Sequence, residues 1–198
     1  MKKLFFSAII IMAAGITSNA QEIKYGAKAG VNFASQAGAR NSKTRTSLHF
    51  GAVAEFKFTD VFAIQPELVY SMQGGKQTEE DFYGDYQNII KTNYLLLPIV
   101  AKYYVVDGIS IELGPQVGYL LSAKGEHEYP EGSYEGDITD YFKRFDFGLT
   151  AGVAFDLPIG LFFNIRYYGG LTNIIEDAEN TEDSITNDLF TISAGYKF

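Results

Sequence analysis

The residues best suited to chemistry are the two histidines and the hydroxyl and carboxyl groups near them. His49 lies two positions after Ser47, and His127 lies between Glu126 and Glu128. An imidazole activates a hydroxyl nucleophile when the two groups are within hydrogen-bonding reach and a third group orients the ring. This pattern leaves an enzyme open. The alternatives are a His49 that caps the mouth of a barrel and a His127 that is solvated in a loop.

Other signatures of catalysis or cofactor binding are missing from the sequence. There is no glycine-rich phosphate loop, no His-Glu-x-x-His motif and no nucleophile elbow. The chain has no Cys, which excludes disulfides and thiolate chemistry. Its 16 basic and 24 acidic residues give a net charge of −8, which argues against nucleic-acid binding. We therefore predict a protein that is not an enzyme, holds no cofactor and binds no nucleic acid.

Three predicted loops are rich in carboxylates, at 79–85, 126–140 and 176–183. Carboxylate oxygens suit hard cations such as calcium. The spacing does not match an EF-hand, and runs of like charge are usually solvated. We predict no specific metal site, and whether these loops bind cations stays open.

The first twenty residues have the pattern of a signal peptide. Lys2 and Lys3 precede an apolar run that is too short to span a bilayer as a helix, and Ala20 provides a small residue for cleavage. We predict a signal peptide at 1–20 and a single barrel domain at 21–198. A retained membrane anchor is the alternative.

The mature chain alternates apolar and polar residues with a period of two in eight segments. This period places successive side chains on opposite faces of a strand, as where Phe147 and Leu149 flank Gly148. The eight predicted strands are 23–33, 48–58, 62–72, 95–103, 111–121, 145–155, 161–167 and 190–198. The pattern predicts an all-β protein.

The predicted connections alternate between long and short. The short ones lie near 59–60, 107–108 and 157–160, and the long ones at 34–46, 73–91, 124–141 and 173–187. Outer-membrane barrels have short periplasmic turns and long extracellular loops. We therefore predict an eight-stranded antiparallel up-and-down transmembrane β-barrel.

The polar face of the strands is also the small face, since it carries glycines such as Gly30, Gly114 and Gly152. The interior of an eight-stranded barrel is narrow, so the small face belongs inside and the large apolar residues face lipid. Aromatic residues near both ends of the strands would form the two interfacial belts of such a barrel. The reverse orientation would give a soluble lipocalin-like carrier.

Charges of both signs occupy the small face in mid-strand. They are Lys28, Glu55, Glu67, Lys102, Glu112, Asp146 and Arg166. Burying such charges unpaired is costly, so we predict that they pair inside the barrel and stabilise it. The predicted centre of this network is Lys28, Glu67, Glu112 and Arg166, with Glu55 and Lys102 toward the periplasmic end.

Several short segments resemble PorT-like outer-membrane β-barrel proteins, which are similar in architecture to the eight-stranded barrels OmpA and OmpX. The segments are 28–32 (KAGVN), 65–70 (QPELVY), 94–98 (YLLLP) and the C-terminal 195–198 (GYKF). The resemblance implies export to the outer membrane of a double-membraned bacterium. It also implies a terminal signal read by the barrel-assembly machinery, made of Phe190, Ile192, Tyr196 and Phe198.

The function that these features favour is a membrane-embedded scaffold or interaction protein. Its side-chain-filled polar interior would support four extracellular loops that present a surface to an unidentified protein partner. A narrow pore or transporter and a lipid-modifying enzyme are the alternatives. Outer-membrane lipid is a further predicted partner, and Arg40, Lys43 and Arg45 of the first long loop are predicted to contact its anionic headgroups.

Overall fold

The computed structural model describes residues 22–38, 42–81, 84–129, 132–176 and 184–198. The predicted signal peptide and Arg40 lie outside these residues. The strands are β1 (Glu22–Ala37), β2 (Ser42–Thr59), β3 (Phe62–Asp81), β4 (Gly84–Val106), β5 (Ile109–Tyr129), β6 (Gly132–Asp137), β7 (Phe145–Asp156), β8 (Leu161–Gly170) and β9 (Thr186–Lys197). One turn of 3-10 helix lies at Thr139–Tyr141. No helix in this described part has the length and apolar character to cross a membrane.

Eight of these strands form a closed antiparallel barrel, which confirms the predicted fold. The strands β1 to β5 pair in chain order, β5 then pairs with β7, and β7, β8 and β9 again pair in order. The pairing of β1 with β9 closes the barrel. Among the described strands, β6 pairs only with β5 and lies outside the barrel wall. We call the end with the short connections near 60, 107 and 158 the turn end, and the opposite end the loop end.

The strands are longer than the sequence predicts, so the prediction that these segments are long loops is wrong over most of their length. Most of 34–46, 73–91 and 124–137 is paired strand, with Gly74 opposite Lys91 and Lys124 opposite Asp137. His127 accordingly lies in β5 and not in a loop. The prediction ended each strand where the apolar alternation ends. Backbone pairing needs no apolar face, so the hairpins continue beyond that point at the loop end.

The two faces of the barrel differ sharply in exposure. Large apolar side chains such as Leu68, Leu113 and Val153 are half exposed on the outer surface. Their neighbours Glu67 and Glu112 are buried in the lumen. A soluble carrier would have the opposite arrangement, so this outer surface suits lipid.

Aromatic residues pair across neighbouring strands near both ends of the outer surface. At the loop end the ring centroids of Phe50 and Tyr70 are 5.3 Å apart, and those of Tyr119 and Phe145 are 5.2 Å apart. At the turn end the rings of Phe58 and Phe62 are separated by 6.1 Å. These spacings are typical of favourable aromatic pairs, and two belts fit the two interfaces of a membrane.

Candidate functional site

The middle of the lumen holds four buried charges that pair with one another, which we call the central cluster: Lys28, Glu67, Glu112 and Arg166. Lys28 Nζ lies 2.6 Å from Glu67 Oε2, and Arg166 Nη2 lies 2.7 Å from Glu67 Oε1. Arg166 also grips Glu112 with two hydrogen bonds, at 2.6 Å from Nε and 3.1 Å from Nη2. Gln65 donates a further hydrogen bond of 2.6 Å to Glu67. Each buried charge therefore has an opposite partner, as a low-dielectric site requires.

A second group of four charges, the turn-end ring, lies nearer the turn end: Glu55, Lys102, Asp156 and Lys197. Lys102 Nζ lies 2.9 Å from Glu55 and 2.7 Å from Asp156. Lys197 Nζ lies 2.7 Å from Glu55 and also pairs with Asp156. Each lysine thus bridges both acids, and the contacts form a closed ring. The Tyr104 hydroxyl hydrogen-bonds to Glu55 at 3.0 Å.

The two groups draw on alternate strands of the barrel. The central cluster comes from β1, β3, β5 and β8, and the turn-end ring comes from β2, β4, β7 and β9. Every barrel strand therefore contributes one charge to one of the two groups. In a closed, tilted barrel the inward side chains of alternate strands lie at one level. This geometry explains why charges that are far apart in the sequence meet in two layers.

His49 lies inside the barrel above the central cluster, and it contacts Asn32 and Ser193 rather than the Ser47 of the sequence prediction. Its Nδ1 is 2.7 Å from Asn32 Oδ1, and its Nε2 is 2.8 Å from Ser193 Oγ. The Asn32 amide nitrogen donates to the Met72 carbonyl at 2.6 Å, so its oxygen is left to accept from the ring.

This hydrogen bonding assigns the proton of His49 to Nδ1 and makes Nε2 the acceptor for the Ser193 hydroxyl. A hydroxyl, an imidazole and an amide in this order are the parts of a nucleophilic site. His49 and Ser193 are 4% and 2% exposed. The adjoining cavity of about 30 Å³ has room for about two water molecules. The arrangement joins β1, β2 and β9 inside the barrel.

Asp146 is buried in the lumen, but its partners are neutral groups and not the two ionic groups. Thr172 Oγ1 donates to it at 2.8 Å, and Asn187 Nδ2 donates at 2.9 Å. The prediction that Asp146 faces the interior therefore holds, but the prediction that it pairs with an opposite charge there is wrong. Asp146 lies near the loop end of β7, closer to that end than the cations of the two ionic groups. Its hydrogen bond with Thr172 holds the segment after β8 against the wall.

The loop end of the lumen also holds a cluster of buried apolar side chains, which the prediction of a polar interior did not include. Val69, Tyr94, Leu96, Leu120 and Ala123 of the barrel wall are buried there. Phe142 and Ile174, from the connections after β6 and after β8, pack against them. We call these seven residues the apolar cap.

Backbone hydrogen bonds hold the two connecting segments of the apolar cap in place. Lys143 N donates to Ile174 O at 2.8 Å, and Ile174 N donates to Ile185 O at 2.9 Å. Leu120 N, in the wall, donates to Arg144 O at 2.7 Å. The cap is therefore joined both to itself and to the barrel wall.

The turn end is more open than the rest of the lumen. A cavity of about 430 Å³ opens there, with Lys57, Asp60 and Asp107 on its rim. Its floor includes Glu55 and Asp156 of the turn-end ring. No group of three or more His, Cys, Asp or Glu residues in the described ranges is arranged to hold a metal ion.

The sequence reasoning missed several residues of the lumen. Asp156, Lys197 and Tyr104 complete the turn-end ring, while Asn32 and Ser193 contact His49. Lys197 does lie on the polar face of the last predicted strand, so parity alone would have placed it inside. The contact between His49 and Ser193 spans 144 positions and depends on the pairing of β1 with both neighbours, which no local pattern reveals.

Of the basic residues of the first predicted loop, Lys43 and Arg45 lie in the described part of the chain and Arg40 lies outside it. Arg45 is half buried, and its Nη1 donates to the Gln73 carbonyl at 2.5 Å. Arg45 shares the inward parity of Ser47 and His49 on β2, so of the two described residues it is Lys43 that is available to the predicted headgroup contact. Lys43 is exposed.

The predicted assembly-signal residues lie on the outer surface of β9 and at the C-terminus. Phe190, Ile192 and Tyr196 are exposed there, and Phe198 is 77% exposed. Lys197 and Ser193, between them in the sequence, face the lumen. The last strand thus carries an apolar outer face and a polar inner face.

Beyond the loop end, ion pairs connect β4, β5 and β6. Lys91 Nζ lies 2.6 Å from Glu126, and Lys124 Nζ lies 2.6 Å from Glu135. The hydrogen bond to Glu126 raises the pKa of Lys91, and the hydrogen bond from Lys124 lowers the pKa of Glu135. Both shifts favour the charged forms that hold the extension together.

Comparisons with known proteins agree with this architecture. The chain is 12% identical to Ail, the attachment invasion locus protein of Yersinia pestis, over 89% of this chain and 99% of Ail, with a TM-score of 0.52. It is 9% identical to Neisserial surface protein A over 91% of this chain and 100% of that protein, with a TM-score of 0.50. Identities this low indicate a shared fold alone. A search of curated protein sequences finds no match.

A family described as "Outer membrane protein beta-barrel domain" matches residues 19–176 of the chain. The match includes β1 to β8, which supply seven of the eight charges in the two ionic groups. The chain therefore belongs to the outer membrane protein β-barrel domain family.

Proposed function

We propose that this protein is a membrane-embedded scaffold that holds an interaction surface outside the outer membrane. The observation that carries the proposal is the obstruction of the lumen at three levels. The turn-end ring, the central cluster and the apolar cap follow one another along the barrel. A barrel built in this way offers its outer extensions, and not its interior, to other molecules.

The proposal distinguishes a scaffold from a narrow pore. An ion that crosses the lumen would have to separate the paired charges and then pass the apolar cap, and breaking a buried pair costs several kcal/mol. The purified chain in planar bilayers should therefore show no steady unitary conductance. Large, uniform current steps would favour the pore.

The interaction surface is proposed to lie on the extensions at the loop end. Tyr134 on β6 and Tyr141 on the 3-10 turn are 71% and 67% exposed, and tyrosine is enriched at binding hot spots. Pull-down of a loop-tagged, intact barrel from cells tests this surface. A partner recovered with the parent should be lost with Tyr134→Ala and Tyr141→Ala together. It should be retained with Ile159→Ala, which changes an equally exposed residue at the turn end.

We propose that the chain has no catalytic activity on lipids, and the enclosed position of His49 and Ser193 supports this. A His49→Ala variant that is present in the membrane at the parent level should leave the lipid composition unchanged. A changed acylation pattern that follows His49 would favour the enzyme.

Contact with anionic lipid headgroups remains a proposal for the first loop, and the exposure of Lys43 supports it. Replacing Arg40, Lys43 and Arg45 together by Gln tests the original set. Lys43→Gln alone should reproduce most of any loss of lipopolysaccharide association, since Arg45 is held by Gln73. Unchanged association in the triple variant would contradict the proposal.

We also propose the PorT-like assignment within the family, export through a cleaved signal peptide and recognition by the barrel-assembly machinery. The segments 28–32, 65–70 and 94–98 support the first, and the outward Phe190, Ile192, Tyr196 and Phe198 support the last. N-terminal sequencing of the mature protein should begin at Gln21. Removal of Phe198 should slow insertion without altering export.

A further inference from the structure

The seam between β1 and β9 closes the barrel, and its register needs a physical cause. Ala29 lies opposite Ala194, and Gly26 lies opposite Lys197. A slip of one residue would turn every side chain of the strand to the wrong face. The registers that compete with the native one are therefore shifted from it by two residues in either direction. Such a slip keeps the apolar and polar faces intact.

The outer surface distinguishes these registers weakly. Ala27, Ala29 and Val31 of β1 face lipid opposite Tyr196, Ala194 and Ile192 of β9. After a slip of two residues in either direction, apolar residues still lie beside apolar residues. The lumen side must therefore provide most of the discrimination.

On the lumen side, Lys197 occupies the place opposite Gly26. The Cβ of any larger residue at position 26 would lie 2.9 Å from Lys197 Cγ and 2.3 Å from a backbone oxygen of β9. The glycine thus leaves room for the stem of Lys197, whose Nζ reaches Glu55 and Asp156. The native register completes the turn-end ring.

Both competing registers place Lys197 opposite another lysine. The lumen-facing residues on either side of Gly26 are Lys24 and Lys28, so each slip brings one of them to Lys197. Like charges directly across a strand pair repel. Lys197 would at the same time move away from Glu55, which lies on β2 across the seam, while Asp156 on β7 stays on its own side.

We propose that Lys197 selects the register in which the barrel closes, by attraction to Glu55 across the seam in the native register and by repulsion from Lys24 or Lys28 in the slipped ones. The contact of His49 with Ser193 acts in the same direction. Gly30 lies between these two residues in the strand pairing, and its missing side chain lets the imidazole reach across β1.

Disulfide trapping tests this proposal directly, because the chain has no Cys of its own. Three double variants report the three registers: Ala29→Cys with Ala194→Cys for the native one, and Ala27→Cys or Val31→Cys with Ala194→Cys for the slipped ones. A disulfide needs a Cβ separation of about 3.5–4.5 Å, whereas diagonal neighbours are about 7–8 Å apart. Full-length chains are folded into lipid vesicles, oxidised and assayed for the cross-link by gel mobility.

The parent should form the 29–194 cross-link almost alone. Lys197→Gln should raise both slipped cross-links by about tenfold or more, which corresponds to about 1.4 kcal/mol. Lys197→Arg, which keeps the charge, should behave as the parent. Lys124→Gln, which changes an exposed lysine beyond the barrel, is the matched control and should also behave as the parent.

Lys24→Gln keeps the test decisive if Lys197→Gln fails to fold, because Lys24 is partly exposed and its only ion pair among the described residues is with Glu22. This variant should raise the 27–194 cross-link and leave the 31–194 cross-link unchanged. Parent-like yields of all three cross-links in Lys197→Gln, or in Lys24→Gln where the first variant does not fold, would overturn the proposal.

Discussion

At the scale of residues, the lumen depends on balanced pairs and not on single strong contacts. Arg166 binds Glu67 and Glu112, and Lys28 binds Glu67. A buried ion pair adds little over an apolar pair, but removing one partner leaves a charge without compensation. The pairs therefore penalise any arrangement in which a strand brings its ion to the wrong level.

Glu112→Gln should destabilise the barrel strongly, because Arg166 loses the carboxylate that it grips with two hydrogen bonds. We expect the free energy of unfolding to fall by about 3–5 kcal/mol, measured by urea titration in lipid vesicles. Glu126→Gln makes the same chemical change in the outer extension and should cost at most about 1 kcal/mol. Equal losses in the two variants would show that the central cluster has no special role.

Gly30→Ala should disrupt the seam. A Cβ at this position would lie 2.1 Å from the Ile192 carbonyl oxygen and 2.6 Å from the His49 ring. We expect the fraction of heat-modifiable, folded barrel on a gel to fall sharply. Gly169→Ala is the matched control, since its nearest contact would be an ordinary 3.6 Å to Tyr167. A folded Gly30→Ala barrel with His49 still bonded to Ser193 would contradict this account of the seam.

At the scale of elements, the sequence predicts the barrel strands well and their outer ends poorly. Apolar alternation in residues such as Ile111 and Leu113 marks the membrane-facing part of β5, because lipid requires an apolar residue at every second position. Beyond the apolar alternation the same strand continues to Tyr129. The strand ends there depend on backbone pairing, which leaves no trace in hydropathy.

The candidate site, like the strands, could be predicted from the sequence only in part. The parity of the strands predicts that Lys28, Glu67 and Arg166 face the lumen. The level at which each ion lies depends on strand tilt and register, so the separation of Asp146 from the ions was not predictable. The apolar cap was missed because Phe142 and Ile174 come from connections whose packing has no periodic signature.

The β5–β6 hairpin should be dispensable for the barrel. Replacing residues 126–135 with an Asn-Gly turn between Gly125 and Gly136 removes pairing that involves no strand of the wall other than the ends of β4 and β5. We expect an unchanged urea midpoint, whereas Phe142→Ala in the apolar cap should cost about 3–5 kcal/mol. A hairpin deletion that lowers the midpoint as much as Phe142→Ala would mean that the extension supports the wall.

At the scale of the whole molecule, the barrel is an object with an apolar outside and an obstructed inside. Alternate strands supply the central cluster and the turn-end ring, and two connecting segments supply part of the apolar cap. The last strand combines both properties, since Tyr196 faces outward and Lys197 faces the lumen. Closure and stability therefore both depend on one orientation of the strands.

Thiol labelling of single-cysteine variants in lipid vesicles tests this orientation most directly. Leu113→Cys and Leu149→Cys replace exposed outer residues, whereas Gln116→Cys and Thr150→Cys replace buried lumen residues. We predict that a lipid-soluble maleimide labels positions 113 and 149, and that neither it nor a water-soluble maleimide labels 116 or 150 until the chain is unfolded. Rapid labelling of 116 and 150 by the water-soluble reagent would contradict an obstructed lumen, and labelling of these positions by the lipid-soluble reagent would reverse the faces.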